Sequence, residues 1–209
     1  MSLRTRTLRS VVAAAFCALL AQATDANAQL RSAYGCEGLE DAPRVASIEG
    51  RGGVFFRLRP DLQMTQPFSD EVVEDLGKLS RALAGRGTLL VYAPMPTKAL
   101  AMPQDLPAEA ADYGYDPLIA ATVYEELMGR LRDANVATAD LRTAMRALWP
   151  QAQPFFRADP RMSPDGARAA ARAVAGIVRD RMPTAGGTRY ASVSTGRVEL
   201  ASQHRTLMQ

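Results

Sequence analysis

"FFRADPRMSPDGARAAARAVA", residues 155–175, places a helix start directly behind a carboxylate and a guanidinium. Ser163 is a good N-cap, and Pro164 carries the fixed φ that suits a first helical position. The spacing predicts a helix whose core face runs Ala167, Ala170/Ala171, Val174 and Ile177/Val178. Ahead of the cap, Pro160 biases Asp159 towards an extended conformation, in which residues 159 and 161 point to the same side. A carboxylate beside an imidazole at such a spot would hold the ring in one tautomer while it takes a proton from a serine. Arg161 occupies the place of that imidazole. With a pKa above about 12, it has no lone pair to offer at neutral pH.

Upstream, "TLLVYAP" (88–94) is a nearly continuous apolar run without alternation, the pattern of a strand buried on both faces of a parallel sheet. A helix is expected from the Ser69 cap, with Asp70 and Glu71 in its first turn, Phe68 and Val73 as a hydrophobic staple, and Gly85 and Gly87 ending it. A second helix starts at Asp116-Pro117. "NVATADL" (135–141) is a short strand candidate, followed by a short helix in "RTAMRALW". "IEGRGGVFFRLRP" (48–60) suggests two short strands around a Gly-rich turn. Alternating helices and strands predict an α/β sandwich with a mainly parallel sheet flanked by helices. Ligands of such sheets sit beyond the carboxyl ends of the strands, so the Pro-rich loop 94–107 and the segment 154–163 should share one rim.

The first 28 residues read as a secretory signal peptide. Arg4, Arg6 and Arg9 precede the apolar run "VVAAAFCALLAQA", and Ala26-Asn27-Ala28 is a small-x-small cleavage site. Removing the segment takes three arginines and Asp25 away and lowers the formal charge from +3 to +1. So small a charge gives no reason to expect a nucleic-acid partner, and the arginines between Arg157 and Arg181 suit a solvated helix face. Cys36 becomes the one cysteine of the mature chain, and with the lone His204 it cannot furnish four zinc ligands. Residues 29–183 would form the domain. The tail 184–209 does not read as a finished domain end.

Several chemistries are excluded. No G-x-x-x-x-G-K-[ST] loop occurs, "AGRGT" (84–88) is a helix stop, and neither G-x-S-x-G nor G-D-S is present. Ser192 and Ser194 lie in polar sequence with no elbow signature, and His204 sits five residues from the end, where chains are usually mobile.

The blocks "CEGLEDA", "IEGRGGVFFR" (48–57), "LLVYAPMPTKALAMPQDLP" (89–107) and "ADPRMSPDGARAAARAVA" (158–175) follow one another as in the SGNH-hydrolase-like domain of the alginate O-acetyltransferase family of the AlgX/AlgJ type, which the chain resembles. The resemblance implies an SGNH-like α/β fold, a periplasmic location, and acetyl transfer to an exopolysaccharide by a Ser-His-Asp mechanism. It implies no cofactor or metal, and as partners the exopolysaccharide and membrane-bound acetyl-transfer proteins. The family pattern of the last block is close to D-T-H-W-T-P-E-G-A-R. Asp159 then stands at the triad aspartate, Arg161 at the histidine, and Met162, on the substrate rim, at the tryptophan. Lys98 of "PMPTK" would face substrate by the same resemblance. Read from the residues alone, that loop is equally a Pro-stiffened strand-to-helix connection. The family's nucleophilic serine lies on a later strand-to-helix turn, and nothing after Arg161 carries that motif.

Two functions follow as expectations. One is a polysaccharide O-acetylation protein with an incomplete triad; the other is a non-catalytic polysaccharide-binding or scaffold protein of the same fold. A base at position 161 and a downstream nucleophile separate them. Losing triad members leaves an acceleration of order 10³–10⁴ against the usual 10⁶ or more, so the chain as written is expected to be a poor acyl transferase.

Overall fold

The computed structural model describes residues 32–64 and 68–182. The expected signal segment, the tail 184–209, Ser192, Ser194 and His204 lie outside the described residues. The chain divides into two units, Met1–Glu37 and Gly38–Gln209. In the first, Cys36 is a half-buried free thiol.

The second unit is a mixed α/β structure with two small sheets. β1 (Ser47–Glu49) and β2 (Phe55–Arg57) form an antiparallel hairpin in the register Ser47↔Arg57, Ile48↔Phe56 and Glu49↔Phe55. Its turn needs Gly52 and Gly53, both at positive φ, 65° and 71°, where a side chain would be strained. Phe56 and Val54 are fully buried.

α1 (Asp70–Ala84) begins where the sequence marks it, with Ser69 Oγ accepting the Val72 N–H at 3.3 Å. Phe68 and Val73 enter one apolar cluster with Leu76, Leu90, Tyr92, Leu127, Leu131 and Val136, so the expected staple is met. The Phe68 and Tyr92 rings meet edge-on at 5.5 Å. The apolar run 88–94 condenses to β3 (Val91–Tyr92), which is half-buried rather than buried on both faces as its composition suggests, and which pairs in parallel with β4 (Ala137–Thr138). The parallel sheet is this two-residue pair, and helices cover it.

α2 (Lys98–Ala101) is a single turn capped by Thr97 Oγ1. α3 (Pro117–Asp133) starts on Asp116, whose Oδ1 accepts the Leu118 and Ile119 N–H groups at 2.7 and 3.1 Å. This helix is apolar on two sides. Ala120, Ala121, Tyr124 and Met128 enter the larger core around Phe56, Leu100, Met102 and Met145, while Leu127 and Leu131 enter the cluster under α1. A fully buried leucine such as Leu131 contributes about 1.5–3 kcal/mol. The Tyr124 hydroxyl donates to Pro94 O at 3.1 Å and so ties the loop after β3 to α3.

α4 (Leu141–Arg146) is capped by Asp140. α5 (Pro164–Arg181) is capped by Ser163 Oγ, which accepts the Gly166 N–H at 3.1 Å. The expected face is met in part: Ala170 packs on the larger core and Val174, Ile177 and Val178 are half-buried, while Ala167 and Ala171 are exposed and Gly166 and Ala169 are buried. At the helix start the backbones approach closely: a Cβ on Gly166 would collide with Pro154 O, so only glycine seats there. Arg168, Arg172, Arg179 and Arg181 are exposed, as a solvated face requires.

Candidate functional site

Residues 154–163 fold back on themselves. Phe155 and Met162 form an isolated antiparallel bridge, Phe156 N donates to Arg161 O at 3.2 Å, and Ser163 N donates to Pro154 O at 2.9 Å. Asp159 sits at the bend. Asp159 and Arg161 meet. Arg161 N donates to Asp159 Oδ1 at 2.8 Å, its Nε lies 3.1 and 3.2 Å from Oδ1 and Oδ2, and its Nη2 lies 3.0 Å from Oδ2. The carboxylate side chain is 6% exposed and the guanidinium side chain 57%. Burial opposes ionisation of Asp159. The Arg161 side chain and backbone N–H outweigh it, so the carboxyl lies below its ordinary range.

Lys98, expected from the resemblance to face substrate, is 2% exposed among the described residues, and its ammonium donates to Phe156 O and Arg157 O at 2.7 Å each, with a looser contact of 3.5 Å to Asp159 O. The side chain points inward to the backbone that presents Asp159, and the loop after β3 and the 154–163 turn do share one place. Arg157 O also accepts the Phe55 N–H at 2.8 Å, so the β1–β2 hairpin joins the same knot. Nζ stands 5.7 Å from the Phe56 ring centroid. Burial lowers the Lys98 pKa to about 8, while Asp61, Asp159 and Asp105 support its charge and Arg57 opposes it. Met162, expected on the substrate rim, is half-buried and packs on the larger core.

A second pair lies beside this knot. Asp61, with a side chain 5% exposed, accepts from Arg57 N at 2.8 Å, Nε at 3.0 Å and Nη2 at 2.8 Å. These bonds raise the Arg57 pKa. Sequence reasoning passed over Asp61. The signal was the i, i+4 spacing of Arg57 and Asp61 around Pro60. Asp105 is shifted upward chiefly by burial.

Chemically, the site offers a buried carboxylate already committed to a guanidinium, and a buried ammonium committed to backbone carbonyls. At neutral pH the carboxylate, held below its ordinary range, is a weak base, and the ammonium, with a pKa of about 8, is mostly protonated. Among the described residues no cluster of His, Cys, Asp and Glu is arranged to hold a metal ion.

Five solved chains match the protein. AlgX of Pseudomonas aeruginosa superposes with a TM-score of 0.55 at 28% identity, over 65% of this chain and 32% of that one. The O-acetyltransferase domain of Pseudomonas putida AlgJ superposes with a TM-score of 0.51 at 26% identity, over 69% of this chain and 51% of that one. The protein thus spans about a third to a half of the length of these relatives. No curated protein matches its sequence. The family described as "SGNH hydrolase-like domain, acetyltransferase AlgX" matches residues 48–209, which include the hairpin, the Lys98 knot and the Asp159–Arg161 turn. The chain belongs to this AlgX family of SGNH hydrolase-like domains.

Proposed function

We propose that the protein serves the O-acetylation of an alginate-like exopolysaccharide in the periplasm, exported by its first 28 residues, and that it binds the polymer rather than moving the acetyl group. Membrane-bound acetyl-transfer proteins would be its partners. Membership of the AlgX family and the likeness to an O-acetyltransferase domain support the pathway. Among the described residues no helix is long and apolar enough to cross a membrane.

The observation that carries the non-catalytic half is the grip of Arg161 on both oxygens of Asp159. In a Ser-His-Asp site the carboxylate orients an imidazole and stabilises it once protonated. Here a permanent cation satisfies that carboxylate, so no proton acceptor follows it. A second reading, acetyl transfer completed by groups from another chain, is favoured by the retention of Asp159 as a buried, ionised side chain.

The test is to incubate the full chain with acetylated and unacetylated exopolysaccharide, recording co-sedimentation and free acetate together. Binding without acetate release is expected. Release at the rate of an intact triad enzyme would overturn the non-catalytic reading, and neither binding nor release would overturn both.

A further inference from the structure

A cavity of about 500 Å³ opens between residues 42–46 and 57–60, away from Asp159 in sequence and lined in part by Pro43, Arg44, Val45, Arg57, Arg59 and Pro60. Its volume falls among small-molecule sites, which run about 300–1,000 Å³. The two walls are fixed to each other, since Leu58 N donates to Ala46 O at 2.9 Å and Ser47 pairs with Arg57 at the start of the hairpin. Pro43 and Pro60 further restrict the backbone on either side.

Every ionisable side chain lining the cavity is an arginine. Arg44 and Arg59 are exposed, and neither forms an ion pair or side-chain hydrogen bond among the described residues. Arg57 is held at Nε and Nη2 by Asp61, which fixes its plane and leaves Nη1 without a partner there. Three guanidiniums against two neighbouring carboxylates, Asp61 and the more distant Asp159, leave a local excess of positive charge. Guanidinium is planar, weakly hydrated and matched to a carboxylate by two parallel N–H bonds. Pro43, Val45 and Pro60 supply apolar surface of the kind on which the C–H face of a sugar ring rests.

We infer that this arginine-lined cavity binds a carboxylate-bearing sugar unit of an acidic polysaccharide. The inference rests on the polysaccharide reading above and adds a place and a charge to it. A nucleic-acid phosphate fits less well, because the chain without its first 28 residues has a formal charge near neutrality, whereas phosphate-backbone binding relies on many cations at once.

The test is calorimetric titration of the full chain with a uronate oligosaccharide, with its carboxyl-reduced neutral counterpart, and with inorganic phosphate. The double variant Arg44→Gln/Arg59→Gln is titrated beside it. Both residues are exposed, so an unchanged thermal midpoint checks that the variant is folded. The uronate oligosaccharide is expected to bind the wild type, and the double variant to bind it at least about ten-fold more weakly. The neutral counterpart should bind the wild type no better than the uronate binds the variant, and phosphate should not compete. Unchanged affinity in the variant would overturn the site while leaving polymer binding intact. Competition by phosphate at the oligosaccharide's own concentration would overturn the carboxylate assignment. No binding of either oligosaccharide by the wild type would overturn this inference, and polymer binding along with it only if the full-length exopolysaccharide also failed to co-sediment.

Discussion

Arg161 holds Asp159 through its backbone N–H at 2.8 Å and through Nε and Nη2 at 3.0–3.2 Å, closing a two-residue turn on itself. The carboxylate is buried, the guanidinium largely exposed, and the bond between them is local in sequence. On the proposed reading, an imidazole at position 161 would hand on a proton and the guanidinium ends that transfer.

Replacing Arg161 by Gln removes the cation but keeps the backbone N–H. The burial of Asp159 then goes uncompensated, and its carboxyl rises from below the ordinary 3.8. A carboxyl depressed in the native state contributes stability above its unfolded pKa, lost as pH falls through the native value. In the variant that contribution shrinks, so its stability should fall less from neutral pH into acid than the wild type's, and the difference between the two should close at low pH. At neutral pH it should lose about 1 kcal/mol, as an ion pair with one exposed partner contributes little more. NMR titration of the Asp159 carboxyl and acid-unfolding curves check both.

Lys98→Met leaves the carbonyls of Phe156 and Arg157 buried without their donor. Each unsatisfied group costs roughly 1–3 kcal/mol, and relief of the buried charge offsets part of it, so a net loss of about 2 kcal/mol is expected at pH 7. The variant also reports on titration. The wild-type lysine has its pKa lowered to about 8 by burial, against 10.5 for an unperturbed lysine. Between those values the unfolded chain binds the additional proton, so this group makes stability rise with pH there. Urea unfolding from pH 7 to 10.5 should show that rise in the wild type, and its absence in Lys98→Met.

Two glycines in helices should respond oppositely to alanine. At Gly166 a Cβ would sit 2.1 Å from Pro154 O, a backbone atom, so Gly166→Ala must unseat the start of α5 and cost at least about 1–3 kcal/mol. At Gly129, inside α3, a Cβ would meet nothing within 4 Å, so Gly129→Ala should stabilise by about 0.5–1 kcal/mol. Thermal melts of the two variants check the pair.

The helix starts were legible because each carries its own chemistry: Ser69, Asp116 and Ser163 all cap in the structure as their side chains dictate. The glycine turn of the hairpin was legible for the same reason. What the sequence left hidden depends on distant partners. Lys98 sits in a proline-rich loop, and nothing local says that its ammonium will meet carbonyls 58 and 59 residues away. The burial of Gly166 at the start of α5 was hidden for the same reason, since its contact is with Pro154, outside the helix. The parallel strands shrank to two residues each because backbone pairing, unlike apolar composition, cannot be read from one segment. Within the candidate site the same-side placement of Asp159 and Arg161 was readable, while the Lys98 and Asp61 anchors were not.

The central claim is that Asp159, committed to Arg161, drives no acetyl chemistry in this protein. The most direct measurement is acetate release from an acetylated exopolysaccharide by the full chain and by Asp159→Asn, side by side with a no-protein control. The account predicts that both proteins release acetate no faster than the control. Release by the wild type that disappears in Asp159→Asn would contradict it.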